Sequence, residues 1–150
     1  QPVLYHFKTI EDVRIAAHIK ASEFHIDYVT SLSGKYERPM LEVGMRHIQF
    51  AVEEKNLFRF LFHSSYYTGV SLSDWLTGEN FGSLFPILKK QANVDQRQAY
   101  SIFSQLFLVT HGIASLLANN AMVYDEAYCI NTLSNAYFGT MHLIAEGDLS

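Results

Sequence analysis

Cysteine is nearly missing: Cys129 is the one thiol in 150 residues. A lone thiol closes no internal disulfide, so a stapled secreted framework is excluded and a reducing, cytoplasmic setting is expected. Breakers are scarce too, with 3 Pro and 8 Gly, which leaves little room for the many turns of a β-sandwich and favours long helices. Positive charge is in deficit, 11 Lys and Arg against 15 Asp and Glu, for a formal net charge of −4. This segment therefore has no electrostatic footprint for nucleic acid of its own. No uninterrupted apolar run approaches the roughly 18 residues that a membrane span requires.

Chemical motifs are lacking as well. There is no Gly-rich phosphate loop and no Gly-x-Ser-x-Gly elbow, so nothing points to an enzyme. The 7 histidines include no His-x-x-x-His pair, and His18 and His25 stand two helical turns apart, too far to share one small ion. No metal and no cofactor are expected. A helical enzyme using His111 as a base would need a carboxylate or hydroxyl beside it.

What the chain does have is aromatic mass. Apolar residues make up 49%, with 11 Phe and 9 Tyr. That exceeds the needs of a minimal bundle and suggests a lined cavity or an apolar interface. The spacing predicts an all-α domain of about six helices. Thr9 caps the first, Ile10 to Leu32, with Asp12 as its capping-box partner and Val13, Ala16, Ala17, Lys20, Phe24, Tyr28 and Leu32 as its inward stripe. Ser33-Gly34-Lys35 breaks it. Pro39 opens a second helix to Glu54, apolar on two sides and hence buried between neighbours. Asn56 caps a short helix, Leu57 to Phe62, followed by an irregular stretch from Ser64 to Gly82 in which Ser71 to Leu76 forms one turn. A short helix covers Leu84 to Gln91. Two long helices finish the chain, one opened by Asp95 and running to Asn119-Asn120, the other opened by Tyr124-Asp125 and ending at Gly147.

Three segments, in order, carry a resemblance. Val3-Leu4-Tyr5-His6-Phe7-Lys8-Thr9-Ile10-Glu11-Asp12 resembles the junction between recognition helix and first regulatory helix in the TetR family of bacterial one-component repressors. Val43 to Phe62, with Phe50-Ala51 and Leu57-Phe58-Arg59-Phe60-Leu61-Phe62, is similar to the signature of that family's regulatory domains. Val109-Thr110-His111-Gly112-Ile113-Ala114-Ser115-Leu116-Leu117 resembles its penultimate helix. Leu4 and Ile10 depart from the pattern, which carries Tyr and Lys there.

The resemblance implies a division of labour. Residues 1–8 would be the remnant of a helix-turn-helix head, with Tyr5, His6 and Lys8 as phosphate contacts to operator DNA. Residues 9–150 would bind a small apolar or aromatic effector and form a homodimer through the last two helices. Ligand would tilt the first long helix and change the spacing of the two heads. The aromatic cluster Phe58, Phe60, Phe62, Tyr66, Tyr67 and Trp75, with Tyr28, Phe103 and Phe107, would line the effector site, and His111 would supply a polar handle. Gly112 implies a close helix approach, at that site or across the dimer seam. Ala114 and Ala118 on one helix, with Leu133, Tyr137, Phe138 and Met141 on the other, would make a symmetric four-helix seam. The rival reading is a helical small-molecule carrier or interaction module with no role in transcription.

Overall fold

The computed structural model describes residues 7–78, 81–120 and 122–147. Among these residues there are seven α-helices and no strand: α1 (Ile10–Thr30), α2 (Pro39–Glu53), α3 (Lys55–Phe62), α4 (Leu72–Thr77), α5 (Phe85–Ala92), α6 (Gln96–Ala118) and α7 (Glu126–Ala145), with a 3-10 turn over Ser65–Tyr67. The all-α expectation holds; the turn foreseen after Ser71 is a helix of its own. Tyr5 and His6 lie outside the described residues. Lys8 is exposed just ahead of α1.

Capping chemistry sets the helix starts. Thr9 and Asp12 form a full reciprocal box at α1: Asp12 N donates to Thr9 Oγ1 at 3.1 Å and Thr9 N donates to Asp12 Oδ2 at 2.8 Å. Asp95 and Gln98 repeat the box at α6, and Asp125 Oδ1 accepts from Tyr128 N at α7. Each satisfies donors that the first helical turn leaves unpaired. One expected cap is corrected. Asn56 lies inside α3, which begins one residue earlier behind Glu54.

α6 is the centre of the bundle. It packs against α2, α7, α5 and α3, and α1 lies across α2 and α3. As foreseen, α2 is buried on both sides, with Val43, Met45, Ile48 and Phe50 all in the core. Two clusters fill the interior. One joins Val29, Val43, Leu88, Ile102 and Phe103; the other joins Phe50, Phe58, Ala114, Leu117, Cys129 and Leu133. Phe50 and Phe58 are fully buried, and truncating either to Ala costs about 3–5 kcal/mol by the usual cavity penalty.

Within the chain the tight glycine contact is at Gly44, and Gly112 makes no close approach to another helix of the same chain. A Cβ on Gly44 would meet Leu133 Cδ1 at 3.0 Å and Thr110 Oγ1 at 3.4 Å, whereas one on Gly112 meets nothing within 4 Å. At Gly44, α2 is thus packed tightly against side chains of α6 and α7. A second correction concerns α6 itself. By length and composition it is apolar enough to cross a membrane, with a mean hydropathy of 1.5 over an 18-residue window, although polar side chains interrupt every apolar run. Its apolar positions Ala99, Ile102, Phe103, Leu106, Ala114 and Leu117 are buried against neighbouring helices.

The most consequential correction is on α1. Its buried residues are His18, Ala21, His25 and Val29, one position on from the expected stripe of Ala17, Lys20, Phe24 and Tyr28. One residue is about 100° around a helix, so the inward face is a different face, and Phe24 is left 48% exposed. Two of the four inward positions are histidines, so the true face does not read as apolar.

Candidate functional site

His18, Ser22 and His25 stand at i, i+4 and i+7 on α1, which aligns them along one side of the helix. Opposite them run Leu61 and Phe62 at the end of α3, then Tyr66 and Tyr67 on the 3-10 turn, Trp75 on α4, and Phe81 and Ser83 beyond it. Together these residues, with Ile19, Glu23, Ile26 and Asp27, enclose an open cleft of about 690 Å³. That lies within the size range of small-molecule sites.

Ring contacts hold the walls. His18 stacks on Tyr66 with centroids 3.6 Å apart and an interplanar angle of 5°, and it meets the edge of Tyr67 at 5.4 Å. Trp75 packs edge to face on Phe81 at 5.1 Å and on Phe107 at 5.2 Å. Its indole Nε1 is buried with no hydrogen-bond partner among the described residues. The Tyr67 hydroxyl is near enough for the indole N–H to offset part of the upward push of burial on its pKa, yet it falls short of hydrogen-bond geometry. A smaller apolar cavity of about 40 Å³ shares His25, Ile26 and Phe81 with the cleft and is lined further by Val43, His47, Phe103 and Phe107.

Behind the cleft lies a chain of imidazoles. His25 Nε2 and His47 Nδ1 are 2.9 Å apart, and His47 Nε2 and His111 Nδ1 are 3.4 Å apart. Burial, aided by the neighbouring His111, pushes the His25 pKa down to about 4. Burial does the same to His111, also to about 4. His47 is held well below the ordinary range by burial and by both neighbours. These rings are therefore neutral at neutral pH, each with one N–H and one lone pair. They bond ring to ring along a line instead of converging on one point. Among the described residues no group of three or more His, Cys, Asp or Glu is arranged to hold a metal ion.

Of the residues expected at the effector site, Phe62, Tyr66, Tyr67 and Trp75 line the cleft. Phe103 and Phe107 line the inner cavity instead. Phe58 is enclosed in the core. His111 bonds to His47 on the facing helix and stacks on Phe107 at 5.2 Å. Its partner is neither the carboxylate nor the hydroxyl that a base would use. Tyr28 lies away from both cavities. Its hydroxyl donates to Glu53 Oε2 at 2.7 Å, and burial, then that bond, raises its pKa to about 12. Glu53, at the unfavourable end of α2, is thus stabilised by Tyr28 and Gln49 as well as by solvent. Sequence reasoning missed His18, Ser22 and His25. The i, i+4, i+7 polar register on α1 was the signal that could have found them.

The expected seam also needs redrawing. Ala114, Ala118 and Leu133 are buried within the chain and cannot touch a second copy in this conformation. Tyr137 and Met141 are half-buried against the first core cluster. Phe138 is 55% exposed, beneath the Arg38 guanidinium, which lies 4.6 Å from its ring centre. The apolar surface actually offered is Leu108 and Leu116 on α6, with Gly112 between them, and Tyr128, Phe138 and Leu143 on α7.

Compared with family models, with curated proteins and with solved structures, the chain finds no match.

Proposed function

We propose that this chain is the effector-binding and dimerisation part of a ligand-responsive transcriptional regulator, a repressor of the TetR type acting in the cytoplasm. The observation that carries the reading is the aromatic cleft built along α1, the helix that follows the segment resembling the family's head junction. An occupant pressing on His18, Ser22 and His25 bears directly on α1. A preference of about 3 kcal/mol for one orientation of that helix shifts a two-state equilibrium more than a hundredfold. The exposed apolar side chains of α6 and α7, Leu108, Leu116 and Phe138 among them, support dimerisation, since apolar surface left open on a helix pair commonly seats a partner. The helical carrier reading uses the same cleft and needs no DNA.

DNA binding by the full gene product tests the choice. The regulator retards a promoter fragment adjoining its own gene, and a cleft occupant changes that retardation. A protein that binds the occupant but never the fragment is a carrier.

A further inference from the structure

We propose that the three linked imidazoles form a tautomer relay, in which the position of the proton on His25, in the cleft wall, dictates its position on His111 of α6. The relay is independent of whether the cleft serves a regulator or a carrier.

The constraint is geometric. His47 has both ring nitrogens committed within the chain of rings, Nδ1 to His25 Nε2 at 2.9 Å and Nε2 to His111 Nδ1 at 3.4 Å. A neutral imidazole has one N–H and one lone pair. If His47 holds its proton on Nε2, it donates to His111 Nδ1 and must accept from His25 Nε2. His111 then keeps its own proton on Nε2, and all three rings are ε tautomers. If His47 holds its proton on Nδ1, both bonds reverse and all three rings are δ tautomers. A mixed arrangement sets two N–H groups or two lone pairs face to face. That leaves buried polar atoms unpaired, which disfavours it by about tenfold or more.

The surroundings confine the rings to those two states. His25 and His47 are each 5% exposed. Phe62 touches all three rings, with centroids 5.1, 5.4 and 5.2 Å away in chain order. Phe50 packs on His25, and Phe58 and Phe107 pack on both His47 and His111. Phenyl rings of this kind bring no competing hydrogen-bonding nitrogen or oxygen. Protonation, which would turn every nitrogen into a donor, is suppressed by burial at all three rings, aided at His25 and His47 by neighbouring histidines and at His111 by His63.

Two discrete arrangements that both ends can bias are what a coupling element requires. The ends of this one lie in different places. His25 lines the cleft, whereas His111 adjoins Gly112 on the exposed side of α6. An influence in the cleft that favours one proton position on His25 is thereby reproduced on α6 with no shift of the backbone.

Two ring isosteres of histidine force opposite orders. 4-Thiazolylalanine has an acceptor nitrogen in place of Nδ1 and sulfur in place of Nε2; 5-thiazolylalanine has the reverse, and neither has an N–H. In the full chain, His111→4-thiazolylalanine should leave His47 and His25 as ε tautomers. His25→5-thiazolylalanine should leave His47 and His111 as δ tautomers. Nitrogen-15 shifts of the ring nitrogens at neutral pH report each tautomer, with the disfavoured form about tenfold or more less populated. The unsubstituted chain should show one and the same tautomer fraction on all three rings, a test that needs no replacement to fold. Unequal fractions there would overturn the relay, as would a His47 with the same tautomer in both substituted proteins. His47→Phe keeps an aromatic ring but removes the link, so His25 should then ignore the isostere at position 111. A His25 that still follows it would show that the coupling does not pass through the imidazoles.

Discussion

His25 Nε2 and His47 Nδ1 lie 2.9 Å apart, both rings buried, and this contact ties α1 to α2 at the back of the cleft. His47 passes the connection on to His111 of α6. The consecutive helices α1 and α2 and the sequence-distant α6 are thereby joined by neutral polar groups, and a movement of α1 must be felt at His47. A satisfied buried polar chain of this kind fixes helix register more strictly than apolar packing alone.

The imidazole chain makes stability depend on pH. Burial depresses the His25 pKa from 6.5 to about 4, so between those values the unfolded chain binds the proton and the folded one does not. Stability is full above the unfolded value and is lost as pH falls through that window. One such shift corresponds to about 3 kcal/mol. The urea midpoint should fall steadily as pH drops from about 7 to about 4.5; a flat profile contradicts the buried, neutral chain.

Glu42 holds the α1–α2 connection. Its buried carboxylate accepts from Ser33 N at 2.6 Å, Ser33 Oγ at 2.7 Å and Gly34 N at 3.0 Å. Burial alone raises its pKa, but these donors outweigh burial and hold it below the ordinary value. Its stabilisation is therefore present above the unfolded pKa and lost as pH falls through the folded one. Glu42→Gln keeps the size but replaces an acceptor oxygen with a donor NH₂. A loss of about 1–3 kcal/mol in chemical denaturation is expected.

Much of the fold was legible because its signals are local. Thr9, Pro39, Asp95 and Asp125 announce helix starts by their own chemistry, and α2 shows two apolar sides because both are buried. The face of α1 was not legible, since His18 and His25 take core positions that a hydrophobic pattern assigns to Ala17 and Phe24. Their burial depends on partners tens of residues away, His47 and Leu61 among them. The buried positions assigned to the seam were misread for a related reason. Ala114 and Leu133 are small-residue and bulky-residue positions whose partners turn out to lie within the chain. On the cleft itself, the aromatic wall from Phe62 to Trp75 could be read as a cluster, but the α1 wall opposite could not.

Gly44 should resist substitution. Gly44→Val puts methyl groups against Leu133 and Thr110, where a Cβ already reaches 3.0 Å and 3.4 Å. Overpacking of this kind costs about 1–3 kcal/mol, and thermal unfolding should show it. An unchanged melting temperature would mean that α7 can shift away from α2 freely.

Gly139 should behave in the opposite manner. It is exposed, and a Cβ added there meets nothing within 4 Å. Gly139→Arg therefore leaves the single chain folded and improves helix propensity by about 1 kcal/mol. On the proposed seam beside Phe138, the same charge separates the two copies. Sedimentation should report a dimer converted to a folded monomer, and an unchanged mass would remove α7 from the interface.

Native mass spectrometry on the chain as purified, under conditions that retain small ligands, tests the central claim most directly. The account predicts a dimer carrying additional mass, from which the occupant of the cleft can be identified. A ligand-free monomer would contradict it, leaving an all-α bundle without the two properties a ligand-responsive regulator needs.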